Sequence, residues 1–157
     1  LLAGVAALFA SMRAMWHASQ ARFATLAFGV LLASGFMLLV QARIAMLDIF
    51  MAAFLALAAW QFAAAIRKPE QGHWRLAATG LCLGAAMAAK WNAIPLTMAP
   101  GIAFFLARLA AGRRRLLTSR RGIPVPGVSL LQAFVWLALL PLGAYALSFW
   151  PALFLSD

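Results

Sequence analysis

Long apolar runs separated by short charged segments dominate the chain. Several runs approach the ~20 residues that a helix needs to cross the hydrocarbon of a bilayer. Backbone groups in lipid are satisfied only in helices or closed barrels, and the dominance of Ala and Leu without alternating polarity favours helices. We therefore predict six helices, at about residues 1–12, 23–40, 47–66, 75–89, 93–111 and 127–150.

Composition supports a membrane protein. Of the 157 residues, 66% are hydrophobic and 10% are charged, with a mean hydropathy of +0.95, whereas soluble domains are roughly half apolar. The predicted fold class is all-α, a polytopic transmembrane bundle. The first run lacks the basic leader and cleavage pattern of a signal peptide. We expect residues 1–157 to be one partial transmembrane domain, an internal piece of a longer protein.

The basic residues are distributed unequally between the two sides of the predicted bundle. Eleven of the thirteen Lys and Arg residues fall in the alternate segments 13–22, 67–75 and 108–121. The positive-inside rule makes this side cytoplasmic, with a basic loop at about 112–126. The net charge of +10 therefore reflects topology and not a nucleic-acid surface, since these cations are not interleaved with aromatic residues on one face.

Several polar or small residues have simple structural interpretations. His17 and His73 lie in predicted cytoplasmic loops without clustered ligands, so we expect no metal site. Gly80 and Gly84 form a small-xxx-small pair, which is typical of close helix packing. The segment 120–127, "RRGIPVPG", is interpreted as a stiff linker because of its two prolines.

Two short clusters interrupt the apolar runs on the opposite side. One is "QARIAMLDIF" (41–50), which contains Arg43 and Asp48, and the other is Lys90-Trp91-Asn92. Local physics offers a structural role for each: Asp48 can accept N–H bonds at a helix start, and Lys90 can face a C-terminal dipole. Asn92 can likewise cap a helix.

The same positions also suit an anion-binding site. Charge at membrane depth costs roughly 2.5–3.5 kcal/mol on insertion scales, so two cations on a sparsely charged side indicate an anionic partner. A lipid phosphate is the natural candidate, because the planar arginine fork matches its oxygens. Asp48 would orient Arg43, and Trp91 would supply an apolar or sugar-stacking wall.

Three stretches together resemble a known family. "ARIAMLDIFMAAF" (42–54) and "GLCLGAAMAAKWNAIPL" (80–96), with the tail "YALSFWPALFL" (145–155), are similar to protein O-mannosyltransferases, multi-pass glycosyltransferases of the GT-C class. The order and spacing of the motifs carry the resemblance. It covers about two thirds of the chain and implies that the bundle is a fragment of a larger GT-C fold.

The resemblance implies transfer of mannose from a polyprenyl- or dolichyl-phosphate carrier to Ser or Thr of translocated proteins. Arg43 and Lys90 would bind the donor phosphate, Asp48 would orient, and Trp91 and Asn92 would line the cavity. The catalytic base would precede residue 1, so the isolated fragment is expected to be inactive. No cofactor or metal is implied beyond the lipid-linked sugar. The site would face the periplasm in a bacterial inner membrane, with membrane lipids and a secreted or membrane acceptor protein as partners.

Three alternatives remain open at this point. A related enzyme could transfer a sugar from a lipid phosphate to a glycolipid such as lipid A. A transporter or permease would place polar residues at helix midpoints, whereas the charges here lie at the helix ends. A non-catalytic scaffold would use the arginines of segment 113–121 to bind anionic lipids or a partner.

Overall fold

The computed structural model describes residues 2–35, 40, 47–111 and 122–150, and this part of the chain forms a helical bundle without strands. We number six helices in chain order. They are α1 (Leu2–Ser19), α2 (Arg22–Ser34), α3 (Leu47–Arg67), α4 (Gly72–Ala89), α5 (Trp91–Ala110) and α6 (Leu130–Ser148). The all-α prediction is confirmed.

Three of these helices, α3, α5 and α6, are long and apolar enough to cross a membrane by length and composition. Large hydrophobic side chains are exposed along the bundle, for example Phe23, Leu31 and Leu106. Soluble monomers rarely expose so much contiguous apolar surface. The exposed surface of the bundle is therefore suited to lipid.

The predicted boundaries are wrong at the end of the first helix. Helix α1 continues from the apolar run through the predicted loop 13–22 and ends at Ser19. The turn that follows is closed by Gln20, which has a φ of +56° and whose side-chain amide donates to the Trp16 carbonyl. Arg13 and His17 are consequently helical residues, placed on the surface where α1 packs against α3.

Packing follows the order α2, α1, α3, α4, α6, with α4 in contact with both α3 and α6. Helices α4 and α6 meet closely at the small pair. A Cβ at Gly80 would overlap the Trp136 carbonyl oxygen, and one at Gly84 would lie 2.6 Å from the Ala144 Cβ. The predicted role of both glycines in close packing is confirmed.

Helix α6 is not a regular α-helix throughout. Residues Leu130–Phe134 are α-helical, Val135–Leu139 form a π-helical turn, and Leu140–Ser148 resume the α-helix. Such π turns insert one extra residue into a helix. Here the π turn contains Trp136, whose carbonyl faces Gly80, so the irregular turn and the closest helix approach coincide.

The segment before α6 is part of the core, which corrects its interpretation as a linker. Val125 and Val128 are fully buried, in one cluster with Leu76, Phe104 and Leu137. The prolines still favour a turn. Val125 lies between them and Val128 follows them, and burial of both apolar side chains is more favourable than their exposure to water. The predicted basic loop at 112–126 overlaps this packed segment, and its residues 112–121 lie outside the described ranges.

Arg108 ties α5 to this segment. Its side chain is 2% exposed, its Nη2 donates to the Val128 carbonyl oxygen, and its guanidinium lies 5.6 Å from the centroid of the Phe104 ring. Ser129 then starts α6 with a capping box, accepting from the Gln132 N–H while the Gln132 side chain accepts from the Ser129 N–H. The end of α5 and the start of α6 are thereby joined directly.

We expect Gly80→Ala to lower the free energy of unfolding by about 1–3 kcal/mol, because the added methyl overlaps a backbone carbonyl that cannot move alone. The measurement is SDS-induced unfolding of the purified protein in detergent micelles. The matched control is Gly143→Ala in α6, where an added Cβ meets nothing within 4 Å. Equal stability of the two variants would contradict the close packing of α4 on α6.

Candidate functional site

An ion pair between α3 and α4 is the main charged feature at one end of the bundle. Lys90 Nζ lies 2.5 Å from Asp48 Oδ1, and the two side chains are 39% and 28% exposed, respectively. The residues are 42 positions apart in sequence.

Local structure explains how the two side chains meet. Asp48 lies in the first turn of α3, and its neighbour Ile49 is 1% exposed, which anchors that turn in the bundle. Lys90 caps the C-terminus of α4 in an extended conformation, with its N–H donating to the Ala86 carbonyl. Because α3 and α4 are adjacent and antiparallel, the N-terminus of α3 lies beside the C-terminus of α4. The Asp48 carboxylate and the Lys90 ammonium therefore each also have the sign of charge that their helix dipole favours.

Trp91 and Asn92 follow immediately, in the 3₁₀ turn Trp91–Ala93 that begins α5. Both side chains are exposed, Trp91 to 73%. This turn shows no side-chain cap from Asn92, whereas Pro95 does stand in the first turn of the following α-helical segment. The polar cluster Lys90-Trp91-Asn92 therefore lies at the bundle surface, at the same end as Asp48.

Arg43 lies outside the described residues, so its proposed pairing with Asp48 stays a prediction. What the sequence reasoning missed is the partner that Asp48 has in the structure, Lys90. A signal was present in the sequence: the topology count put one internal carboxylate and two cations on the same side. That charge distribution is equally consistent with pairing Asp48 with Arg43 or with Lys90.

An apolar groove runs from this end of the bundle between α5 and α6. Its volume is about 630 Å³. Its walls include Met87, Ile94, Ile102, Leu137 and Pro141, and Thr97 is a polar member. Met87, on α4, and Ile94, on α5, are the lining residues closest to Lys90 in sequence, three positions before it and four after it.

The dimensions of the groove suit a hydrocarbon chain. Its lining extends along α5 from Ile94 to Phe105, which is about 16 Å of helix at 1.5 Å per residue. That is roughly half of the ~30 Å hydrocarbon core of a bilayer. The groove could not be predicted from the sequence, because its lining residues are of the same types as those that face lipid elsewhere.

The opposite end of the bundle is basic, and the two histidines lie there in helices rather than in the predicted loops. His17 is buried in the last turn of α1, and His73 is exposed in the first turn of α4. Burial, together with the nearby cations Arg13 and Arg75, lowers the pKa of His17. Within the described ranges, no three His, Cys, Asp or Glu side chains lie close enough to hold a metal ion.

The sequence profile of the dolichyl-phosphate-mannose-protein mannosyltransferase family matches residues 1–155. The chain belongs to this family. No curated protein sequence and no solved structure shows a significant match. Family membership confirms the resemblance found in the sequence, and it implies a membrane mannosyltransferase.

A double-mutant cycle tests the ion pair. We expect Asp48→Asn and Lys90→Gln each to lower the free energy of unfolding. The double variant should lose less free energy of unfolding than the sum of the two single variants. The coupling should be of order 1 kcal/mol, because both side chains keep partial access to solvent. Unfolding by SDS titration in detergent measures it.

The control cycle pairs Lys90→Gln with Glu70→Gln. Glu70 is an exposed carboxylate in the turn Pro69–Gln71 between α3 and α4, at the basic end. Its substitution should add independently to that of Lys90. Additive effects for Asp48 and Lys90 as well would show that the pair contributes nothing to stability.

Proposed function

We propose that this chain binds a polyprenyl-phosphate-linked mannose and takes part in its transfer to Ser or Thr hydroxyls of translocated proteins. The observation that carries the proposal is that α4 contributes Met87 to the apolar groove and is followed directly by Lys90, whose ammonium pairs with Asp48. A lipid-phosphate donor has the same two parts, an anionic head and a hydrocarbon tail. The proposal assigns the head to Lys90 and the tail to the groove.

Lys90 retains capacity to bind phosphate while it is paired. A lysine ammonium has three N–H donors, and Asp48 accepts one of them. The carboxylate holds the ammonium in place at the end of α4 and balances its charge when no donor is present. In this proposal Asp48 positions Lys90, and Arg43 supplies a second cation, as the family resemblance suggests.

The tail assignment rests on shape and polarity. The groove is lined almost wholly by apolar side chains and extends over about one leaflet's depth of hydrocarbon. Small-molecule sites are typically apolar clefts with a few convergent polar groups. We assign that polar role to the cluster Lys90-Trp91-Asn92, which ends two residues before Ile94 of the groove lining. Trp91 and Asn92 are exposed, and we assign them to the wall that meets the sugar.

The chemistry requires two kinds of help. The acceptor hydroxyl oxygen attacks the anomeric carbon of mannose, the bond from that carbon to the phosphate oxygen breaks, and the oxygen keeps the electron pair. Cations near the phosphate stabilise the charge that develops there, which is the role of Lys90. A base removes the hydroxyl proton. Asp48 is engaged by Lys90, and we assign the base to an acidic residue outside residues 1–157.

The charge asymmetry supports a location for the reaction. The end with Asp48 and Lys90 is sparsely charged, whereas the other end carries Arg13, Arg67, Lys68 and Arg75. By the positive-inside rule the basic end faces the cytoplasm. We therefore place the donor site on the periplasmic face of a bacterial inner membrane.

Lys90→Gln should lower the rate of mannose transfer about 100-fold, as expected for loss of one charge at a developing anion. The assay follows transfer from polyprenyl-phosphate-mannose to a Ser/Thr peptide by the full-length protein in membranes. Arg22→Gln, one cation removed from the basic end, is the control and should retain activity. Full activity of Lys90→Gln would refute the phosphate assignment, and transfer to a glycolipid instead of the peptide would refute the acceptor.

Filling the groove tests the tail assignment separately. Gly101 lines the groove, and a Cβ added there meets nothing within 4 Å. We expect Gly101→Trp to raise the KM for a long-chain donor about tenfold or more, since each buried methylene contributes ~0.8 kcal/mol. A donor with a short chain should show little change.

Gly143→Trp is the matched control, because Gly143 is exposed in α6 and does not line the groove. It should leave the KM for both donors unchanged. An equal effect of Gly101→Trp on long and short donors would show that the tail lies elsewhere.

A further inference from the structure

Four cations surround the last turn of α1 at the basic end, and we call them the basic-end cluster: Arg13, Arg67, Lys68 and Arg75. All four raise the positive potential at the buried His17 imidazole. The Arg67 Nε donates to the His17 carbonyl at 2.7 Å, and its Nη2 donates to the Ala18 carbonyl at 3.1 Å. These bonds cap the C-terminus of α1 with a cation from α3.

Other contacts fix the cluster without neutralising it. Arg75 donates to the side-chain oxygens of Gln61 and Gln71, at distances of 2.8–3.1 Å. The Arg13 guanidinium lies over the Trp60 ring, 5.5 Å from its centroid. Amide oxygens and an aromatic face carry no net charge, so these contacts leave the positive charge of the cluster in place. Glu70, in the turn after Lys68, is the nearest carboxylate in sequence. Among the described residues, no carboxylate forms an ion pair with it.

A depression with apolar walls adjoins the cluster. It has a volume of about 340 Å³ and is lined by Phe62, Ala63 and Ile66 of α3 and by His17 and Ala18 of α1, with Arg67 at its edge. Ile66 is 41% exposed. The depression thus combines cationic side chains at its edge with apolar side chains inside it. A charged surface that only contacts water would have polar side chains in both places.

We propose that the basic-end cluster and this depression form a binding site for an anionic phospholipid. The lipid phosphate accepts hydrogen bonds from Lys68 and from donors of Arg67 that the α1 carbonyls leave over, two of its five being used there. One acyl chain lies against Phe62 and Ile66. The site is at the end of the bundle opposite to Asp48 and Lys90, and it is independent of the donor site.

Charge and shape contribute separately to this site. Each Lys or Arg close to the anionic headgroup strengthens attraction about fivefold, whereas a cation away from the headgroup adds little in detergent, where no charged leaflet is present. The depression adds a requirement for an acyl chain, because burial of apolar surface needs a hydrocarbon partner. A phospholipid satisfies both requirements, whereas inorganic phosphate satisfies only the first.

The test measures phosphatidylglycerol retained by the purified full-length protein in detergent, counted by native mass spectrometry, with phosphatidylcholine as the neutral lipid. We expect Lys68→Gln to lower the affinity for phosphatidylglycerol about fivefold. Ala18→Trp keeps every charge but fills the depression, and it should lower retention of phosphatidylglycerol by a similar factor. Ala18 is exposed, so the larger side chain is compatible with folding.

Arg22→Gln is the matched control, because Arg22 is an exposed arginine at the start of α2 and does not line the depression. It should leave retention unchanged. If Arg22→Gln lowered retention of phosphatidylglycerol as much as Lys68→Gln, binding would depend only on general surface charge, and the proposed site would be refuted. Displacement of the lipid by millimolar inorganic phosphate, with Ala18→Trp binding normally, would show a phosphate site without a lipid chain and overturn the proposal.

Discussion

The close approach of α4 to α6 at Gly80 and Gly84 positions the rest of the bundle. Lipid tails are as apolar as leucine, so helices in a membrane gain little from hydrophobic burial and depend on close contact between surfaces. The glycines let the backbone of α4 reach the Trp136 carbonyl and the Ala144 methyl of α6. Helix α4 also packs on α3, so the two contacts together determine where the C-terminus of α4, and therefore Lys90, lies.

Two features of the candidate site follow from that arrangement. The end of α4 lies beside the start of α3, which brings the Lys90 ammonium to the Asp48 carboxylate. Helix α5, which packs less extensively on its neighbours, leaves open space against α6, and this space is the groove. The ion pair and the groove thus share one cause, namely a tightly packed α3–α4–α6 unit with a looser α5 beside it.

The sequence predicted the architecture well because the membrane imposes strong constraints on it. Run length, loop charge and the family motifs sufficed for six helices, for the basic end and for the packing role of Gly80. The partner of Asp48 could not be predicted, because helices that are apolar on all faces carry no periodic signal for their rotation. The linker interpretation of 120–127 failed for a related reason: its prolines and glycines indicate a turn, but burial of Val125 depends on the neighbouring Leu76 and Phe104.

Arg108 has a consequence for how the chain tolerates change. Its hydrogen bond to the Val128 carbonyl joins the end of α5 to the residues before α6, across 20 positions of sequence. The ends of the intervening segment are therefore held by the bundle itself, whatever the length between them. The junction between α5 and α6 is thus made by a side chain and a backbone carbonyl of the bundle, as a clamp that does not depend on the residues connecting the two helices.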